Sequence, residues 1–121
     1  MEEQTKVICL DEVDSTNQYL KEHAENLPDG CVVTALHQTA GKGRLGKQWH
    51  DREGKSLLAS WLYKNLTVEQ MTLLPFLSGI SVRQALEKMG FTSIFLKWPN
   101  DVVAFKDGEF FKIAGILCQG G

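Results

Sequence analysis

Apolar and polar positions along this chain repeat with two periods, and the switches between them mark out its elements. Lys6 to Leu10 is a short β-prone run. Asp14-Ser15-Thr16-Asn17 gathers helix-capping side chains, and Tyr19 and Leu20 begin an apolar stripe behind them. A helix is therefore expected from about Thr16 to Glu25, stopped by Asn26, Pro28 and Gly30. Cys31 to Leu36, rich in β-branched residues, reads as a strand, and Ser56 to Tyr63 as a second apolar strand. Thr67-Val68-Glu69-Gln70 is a capping box, with Thr67 as N-cap and Gln70 reaching back. The helix it opens should run to about Met89 and end at Gly90, with a kink or restart at Pro75. Leu73, Phe76, Leu77, Ile80, Leu86 and Met89 are expected to face the core. Ile94 to Trp98 is a strand, Pro99-Asn100 turns the chain, and Asp101 to Phe105 follows. Asp107-Gly108 is a strong hairpin signal before a last strand, Phe110 to Cys118. The order β-α-β-β-α-β-β-β suggests an α/β or α+β domain with a mixed sheet.

Composition narrows the class. With 121 residues, 43% hydrophobic and 23% charged, the chain suits one globular domain with a modest core. A formal net charge of −2 gives no sign of general nucleic-acid binding. No basic-plus-apolar leader stands at the N-terminus. The longest apolar stretch, near Leu73 to Ile80, is broken by Pro75, Ser78 and Gly79 and is too short to span a bilayer, so no membrane is expected. Cys9, Cys31 and Cys118 are far apart and form no C-x-x-C pair; they are expected to be buried thiols in a reducing cytoplasm. His23, His37 and His50 lack metal-ligand spacing and read as surface or loop residues. No internal repeat, linker or low-complexity segment stands out.

The charge is unevenly spread. Residues 41 to 47 read Gly41-Lys42-Gly43-Arg44-Leu45-Gly46-Lys47. Glycine lets the backbone approach a ligand closely, and the cations suit an anion. The run nearly satisfies G-x-G-x-x-G and G-x-x-x-x-G-K, but both motifs need a helix immediately after them. The following Gln48-Trp49-His50-Asp51-Arg52-Glu53-Gly54-Lys55 has no apolar helical face, and Gln48 stands where a P-loop needs Ser or Thr. Both readings are rejected. From Gln38 to Lys55 five cations face two carboxylates, a polar cationic loop long enough to suggest function over a plain solvated turn.

Three further places set polar groups beside tight backbone. Asp14-Ser15-Thr16-Asn17 is at least a helix cap, and a helix N-terminus also suits a small polar ligand. Lys97-Trp98-Pro99-Asn100-Asp101 occupies a strand-to-strand turn, where Pro99 stiffens its neighbours; alone it is equally a β-turn with a solvated lysine. Lys112-Ile113-Ala114-Gly115-Ile116-Leu117 puts a lysine at the start of an apolar strand, which is costly unless its head meets water or an anion. Gly115 within it implies a close approach to the backbone, or a bulge. No nucleophile is evident. Cations and backbone N–H groups suit transfer of a phosphorylated group between two bound ligands, where positioning and charge neutralisation supply most of the rate.

Together these four places, in this order, resemble the biotin protein ligase family, and the likeness runs from about Asp14 to Leu117. The resemblance implies the fold shared by biotin–lipoyl ligase catalytic domains and class II aminoacyl-tRNA synthetases. It implies formation of biotinyl-5'-AMP from biotin and ATP, with Mg²⁺, and then transfer of biotin to a lysine of a carboxylase's biotin carboxyl carrier domain. Carried over by motif, Ser15, Thr16, Asn17 and Gln38 would hold the biotin head. Gly41, Lys42, Gly43 and Arg44 would form a loop closing over biotin and its adenylate. Lys47, Trp49, Lys97, Asn100 and Asp101 would serve the nucleotide, Asp101 through Mg²⁺. Lys112 would sit by the biotin carboxylate and the α-phosphate, acting with Arg44 as the catalytic cations, and Gly115 would leave room for biotin.

The family's loop usually has arginine where Lys42 and Lys47 stand, which keeps the charge but loses the planar fork. Gln119 stands where the last strand usually ends in a carboxylate. Relatives continue with more strands and a small β domain, so residues 1–121 read as a catalytic domain incomplete at its C-terminus, with no helix-turn-helix region. A sheet edge so exposed favours pairing with a second copy. Two alternatives are a lipoate or octanoyl transferase of the same fold, and a biotin-binding piece without turnover.

Overall fold

The computed structural model describes residues 5–42 and 55–120. They fall into two compact units, one up to Asn65 and one from Leu66 to Gly120.

In the first unit β1 (Val7–Val13) lies parallel to β2 (Val32–Gln38), and β2 pairs antiparallel with β3 (Leu58–Trp61). The connection from β1 to β2 carries α1 (Thr16–His23) and a 3₁₀ turn, Ala24–Asn26. Ser15 caps α1, its side chain accepting from the Gln18 backbone N–H at 3.3 Å. Leu20, Leu27, Cys31 and Val33 form the buried core, with Ile8, Leu10, Tyr19 and Leu62 against it. β1 runs three residues beyond Leu10, because its backbone goes on pairing with β2 out to Gln38 even where Asp11 and Glu12 interrupt the β-prone run.

The second unit begins with α2 (Val68–Lys88), which carries the expected capping box. Gln70 N–H donates to Thr67 Oγ1 at 3.1 Å, and Thr67 N–H donates to Gln70 Oε1 at 2.9 Å. The helix continues through Pro75 as one element, so the proline does not restart it. An antiparallel sheet follows, β4 (Ile94–Lys97), β5 (Asp101–Lys106) and β6 (Glu109–Gly115), with β5 in the centre. Asp107 and Gly108, at φ 54° and 80°, make the tight turn between β5 and β6. Ile94, Val102 and Val103 are its buried residues. α2 packs on the sheet through Gly79, whose Cα side faces Leu96 closely enough that an added Cβ would lie 3.3 Å from Leu96 Cδ2.

The α+β reading and the element order hold, with the strands divided between one mixed and one antiparallel sheet. Three expectations do not. Leu73, Phe76, Leu77 and Met89 are exposed; an apolar helical position becomes a core position only where another surface covers it, and within this unit Gly79 is the buried point of α2. Cys9 and Cys118 are exposed, and only Cys31 is a buried thiol. His37 lies within β2, half-buried, not in a loop. Among the described residues no helix is long and apolar enough to cross a membrane.

Candidate functional site

The N-terminus of α1 carries the first cluster. Thr16, Gln38 and Ser60 are buried, at 3%, 8% and 7% exposure. Thr16 backbone N–H donates to Gln38 Oε1 at 2.8 Å, and Thr16 Oγ1 donates to the same oxygen at 3.1 Å. Thr16 Oγ1 also lies 2.6 Å from Ser60 Oγ, and the Ser60 hydroxyl donates to Asn17 Oδ1. The fold explains the meeting. Gln38 ends β2, Thr16 and Asn17 open the helix that follows β1, and Ser60 lies on β3 beside β2. Two hydrogen bonds tie the start of the cationic loop to the same place: Thr39 N–H to Val13 O at 3.0 Å, and Ala40 N–H to Asp14 O at 2.7 Å. Gly41 next to them is buried and Lys42 exposed.

Of the residues expected to hold a polar ligand head, Thr16, Asn17 and Gln38 therefore meet, while the Ser15 side chain caps the helix. Ser60 is an addition. Its signal was available: Leu58 and Ser60 are two apart on a strand, so they share a face, and a hydroxyl on the buried face of an apolar strand needs partners. Gly43, Arg44, Lys47 and Trp49 lie outside the described residues.

The second cluster lies in the second unit. Lys112 Nζ is 3.2 Å from Asp101 Oδ1, with the side chains 56% and 25% exposed. The pairing of β5 with β6 skips Ile113, so Lys112 stands opposite Val103 while Ala114 stands opposite Val102. Asp101 and Val103 share a face of β5, and a long side chain opposite Val103 reaches the carboxylate diagonally. Lys97 is the register partner of Asp101 on the other neighbouring strand. One carboxylate on the central strand is thus flanked by strands that each bring a lysine. Ile116 N–H donates to Asn100 O at 2.9 Å, which holds the chain after Gly115 against the turn. The Trp98–Pro99 peptide bond in that turn is cis.

Beside this turn is a groove of about 140 Å³ whose lining includes Pro75, Phe76 and Gly79 of α2 and Lys97, Asn100 and Asp101. That is below the roughly 300–1,000 Å³ of an enclosing ligand cleft, so it would seat one end of a ligand. Trp98, which also lines it, is 76% exposed, with its ring centroid 6.4 Å from that of Phe76. The contribution of α2 was not anticipated, because nothing in a helical repeat indicates which strand turn it will face. Among the described residues no group of three His, Cys, Asp or Glu could hold a metal ion. Asp101 offers one carboxylate, which fits a Mg²⁺ only where phosphate oxygens complete its shell.

Comparison with known proteins adds a direct line of support. A model of the biotin/lipoate A/B protein ligase family matches residues 9–120. The chain is 33% identical over 114 residues to the bifunctional ligase/repressor BirA of Escherichia coli (strain K12), covering 93% of this chain and 34% of that protein. It is 33% identical over 96 residues to the biotin–[acetyl-CoA-carboxylase] ligase of Mycobacterium tuberculosis, covering 75% of this chain and 35% of that one. Among solved structures, the biotin protein ligase from Aquifex aeolicus in complex with biotin and ATP aligns with a TM-score of 0.76 at 38% identity, over 94% of this chain and 46% of that one. The biotin acetyl coenzyme A carboxylase synthetase from Helicobacter pylori with bound biotinylated ATP aligns with a TM-score of 0.71 at 29% identity, over 98% and 56%. The chain spans about a third of the length of these curated relatives.

Proposed function

The chain belongs to the biotin/lipoate A/B protein ligase family, and from that premise we propose that it is part of the catalytic domain of an ATP-dependent biotin–protein ligase. The observation that carries the reading is the Lys112–Asp101 pair, which joins two motifs eleven positions apart beside the Lys97–Asn100 turn. A lysine already paired to a carboxylate at a groove mouth is oriented and partly hydrated, ready to exchange that partner for a ligand's oxygen.

In the proposed first step a carboxylate oxygen of biotin attacks the α-phosphorus of ATP. The bond from that phosphorus to the bridging oxygen breaks, and pyrophosphate leaves. Two anions must meet, and each gains from a nearby cation as charge gathers on the phosphoryl oxygens. Lys112 serves the carboxylate and the α-phosphate, and Arg44 is the second cation. Thr16, Asn17 and Gln38 hold the biotin head; their backbone and side-chain groups suit a neutral polar ring better than an ion. Gly41, Lys42 and Gly43 line the biotin side and Gly115 leaves room there. Lys47, Trp49, Lys97, Asn100 and Asp101 serve the nucleotide, and Mg²⁺ bound by Asp101 together with the phosphates would neutralise further charge. In the second step a lysine amine of a biotin carboxyl carrier domain attacks the mixed anhydride's carbonyl carbon, and AMP leaves.

The test is pyrophosphate release by this chain with ATP and biotin, alongside calorimetry with biotin and with lipoate. Biotin-dependent release supports the reading. Lipoate binding in place of biotin would move the assignment to the lipoate branch of the family, and biotin binding without release would remove turnover.

A further inference from the structure

Ser60 has no role in the assignment above, yet it joins two of the residues that do. We propose that Ser60 is a positioning residue: its hydroxyl holds the side chains of Thr16 and Asn17 in the arrangement that receives the biotin head. The inference rests on the reading of that cluster as the biotin side of the site.

Thr16 backbone N–H points to Gln38 Oε1, so an oxygen, not the amide nitrogen, occupies that position. Thr16 Oγ1 then has two acceptors within reach, Gln38 Oε1 at 3.1 Å and Ser60 Oγ at 2.6 Å, and a single proton to give. Ser60 resolves this competition, because its oxygen can accept from Thr16 while its own proton goes to Asn17 Oδ1. The hydroxyl is buried at 7% exposure, so water cannot readily replace it. Four side chains from α1, β2 and β3 are thereby tied into one network. Without the Ser60 hydroxyl, Thr16 Oγ1 would lose one of its two partners, and Asn17 Oδ1 would lose the donor that Ser60 supplies.

The geometry is a consequence of strand alternation. Leu58 and Ser60 both face inward on β3, and both are buried. Ser60 does not act on either reactant, so its removal should alter what biotin meets and leave the nucleotide side unchanged.

The experiment compares Ser60→Ala and Ser60→Thr with the unsubstituted chain. Ser60→Ala should weaken biotin binding about tenfold, the upper scale for one lost buried hydrogen bond, with binding of ATP unchanged. Ser60→Thr keeps the hydroxyl, suits a strand and should restore most of the loss. Independently of any ligand, NMR couplings should show one Thr16 χ1 rotamer in the unsubstituted chain and in Ser60→Thr, and averaged rotamers in Ser60→Ala. Wild-type biotin affinity in Ser60→Ala, or an unchanged single Thr16 rotamer, overturns the proposal. Failure of the unsubstituted chain to bind biotin would count against the proposed function; the couplings would still decide the role of Ser60.

Discussion

Single side chains separate stability from chemistry most clearly at Lys112. Its ion pair with Asp101 is more than half exposed on the lysine side, and pairs of that kind contribute about 0–1 kcal/mol to folding. Lys112→Ala should therefore melt close to the unsubstituted chain, while biotin-dependent pyrophosphate release falls by roughly a hundredfold or more, the scale of a lost charge stabiliser. A variant that still releases pyrophosphate at the normal rate would show that Lys112 is not the charge partner proposed. Cys118 makes a second residue-scale point. Although Cys118 is exposed as a residue, its sulfur is partly shielded from water, which raises the thiol above the ordinary value, and a hydrogen bond with Ser78 pulls the other way without prevailing. A raised value means less thiolate at a given pH, so alkylation of Cys118 by iodoacetamide at mildly alkaline pH should lag behind a free small thiol. The linked stability has the matching sign: the folded chain holds this proton more tightly than the unfolded one. The contribution is complete below the unfolded thiol's pKa and is lost as pH rises through the higher folded value. Labelling of Cys118 as fast as the free thiol would contradict this.

Elements were readable wherever short-range chemistry decides them. The Thr67–Gln70 box, the Ser15 cap and the Asp107-Gly108 turn each involve residues within three positions of one another, and all three form as read. The turn supports a direct test. Gly108 sits at φ 80°, where a side chain is strained, so Gly108→Ala should lower unfolding free energy by about 1 kcal/mol in denaturant titration. No loss would mean the turn relaxes to another type. What the pattern could not give was the partner of each face. Apolar spacing correctly groups Leu73, Phe76 and Leu77 on one side of α2, yet these residues are exposed, since burial depends on surfaces contributed from elsewhere in space. The bulge at Ile113 is equally non-local; Gly115 hinted at irregularity in this strand, and the irregularity lies two residues before it. Gly79, an interruption of an apolar run in the sequence, is a point where α2 comes close to Leu96.

Across the whole molecule, the candidate site was legible as four motifs, and the fold supplies what joins them within each unit. Thr16 and Gln38 were separately suspected and meet through β2 and α1; Asp101 and Lys112 meet through β5 and β6. Ser60 and the α2 side of the groove escaped notice, because a lone serine in an apolar strand and a phenylalanine on a helix look ordinary until their neighbours are known. The proposed roles put the biotin head on Thr16, Asn17 and Gln38, in the unit up to Asn65, and part of the nucleotide on Asn100, in the unit from Leu66. Kinetics can test those roles. Gln38→Ala removes the acceptor that organises Thr16 and should raise the KM for biotin roughly tenfold while leaving that for ATP within about twofold. Asn100→Ala, in the other unit, should do the reverse. Melting curves of both variants check that each still folds, which matters for Gln38 because it is buried. If either substitution raises both constants equally in a folded protein, Gln38 and Asn100 do not recognise different ligands, and the roles proposed for them fail.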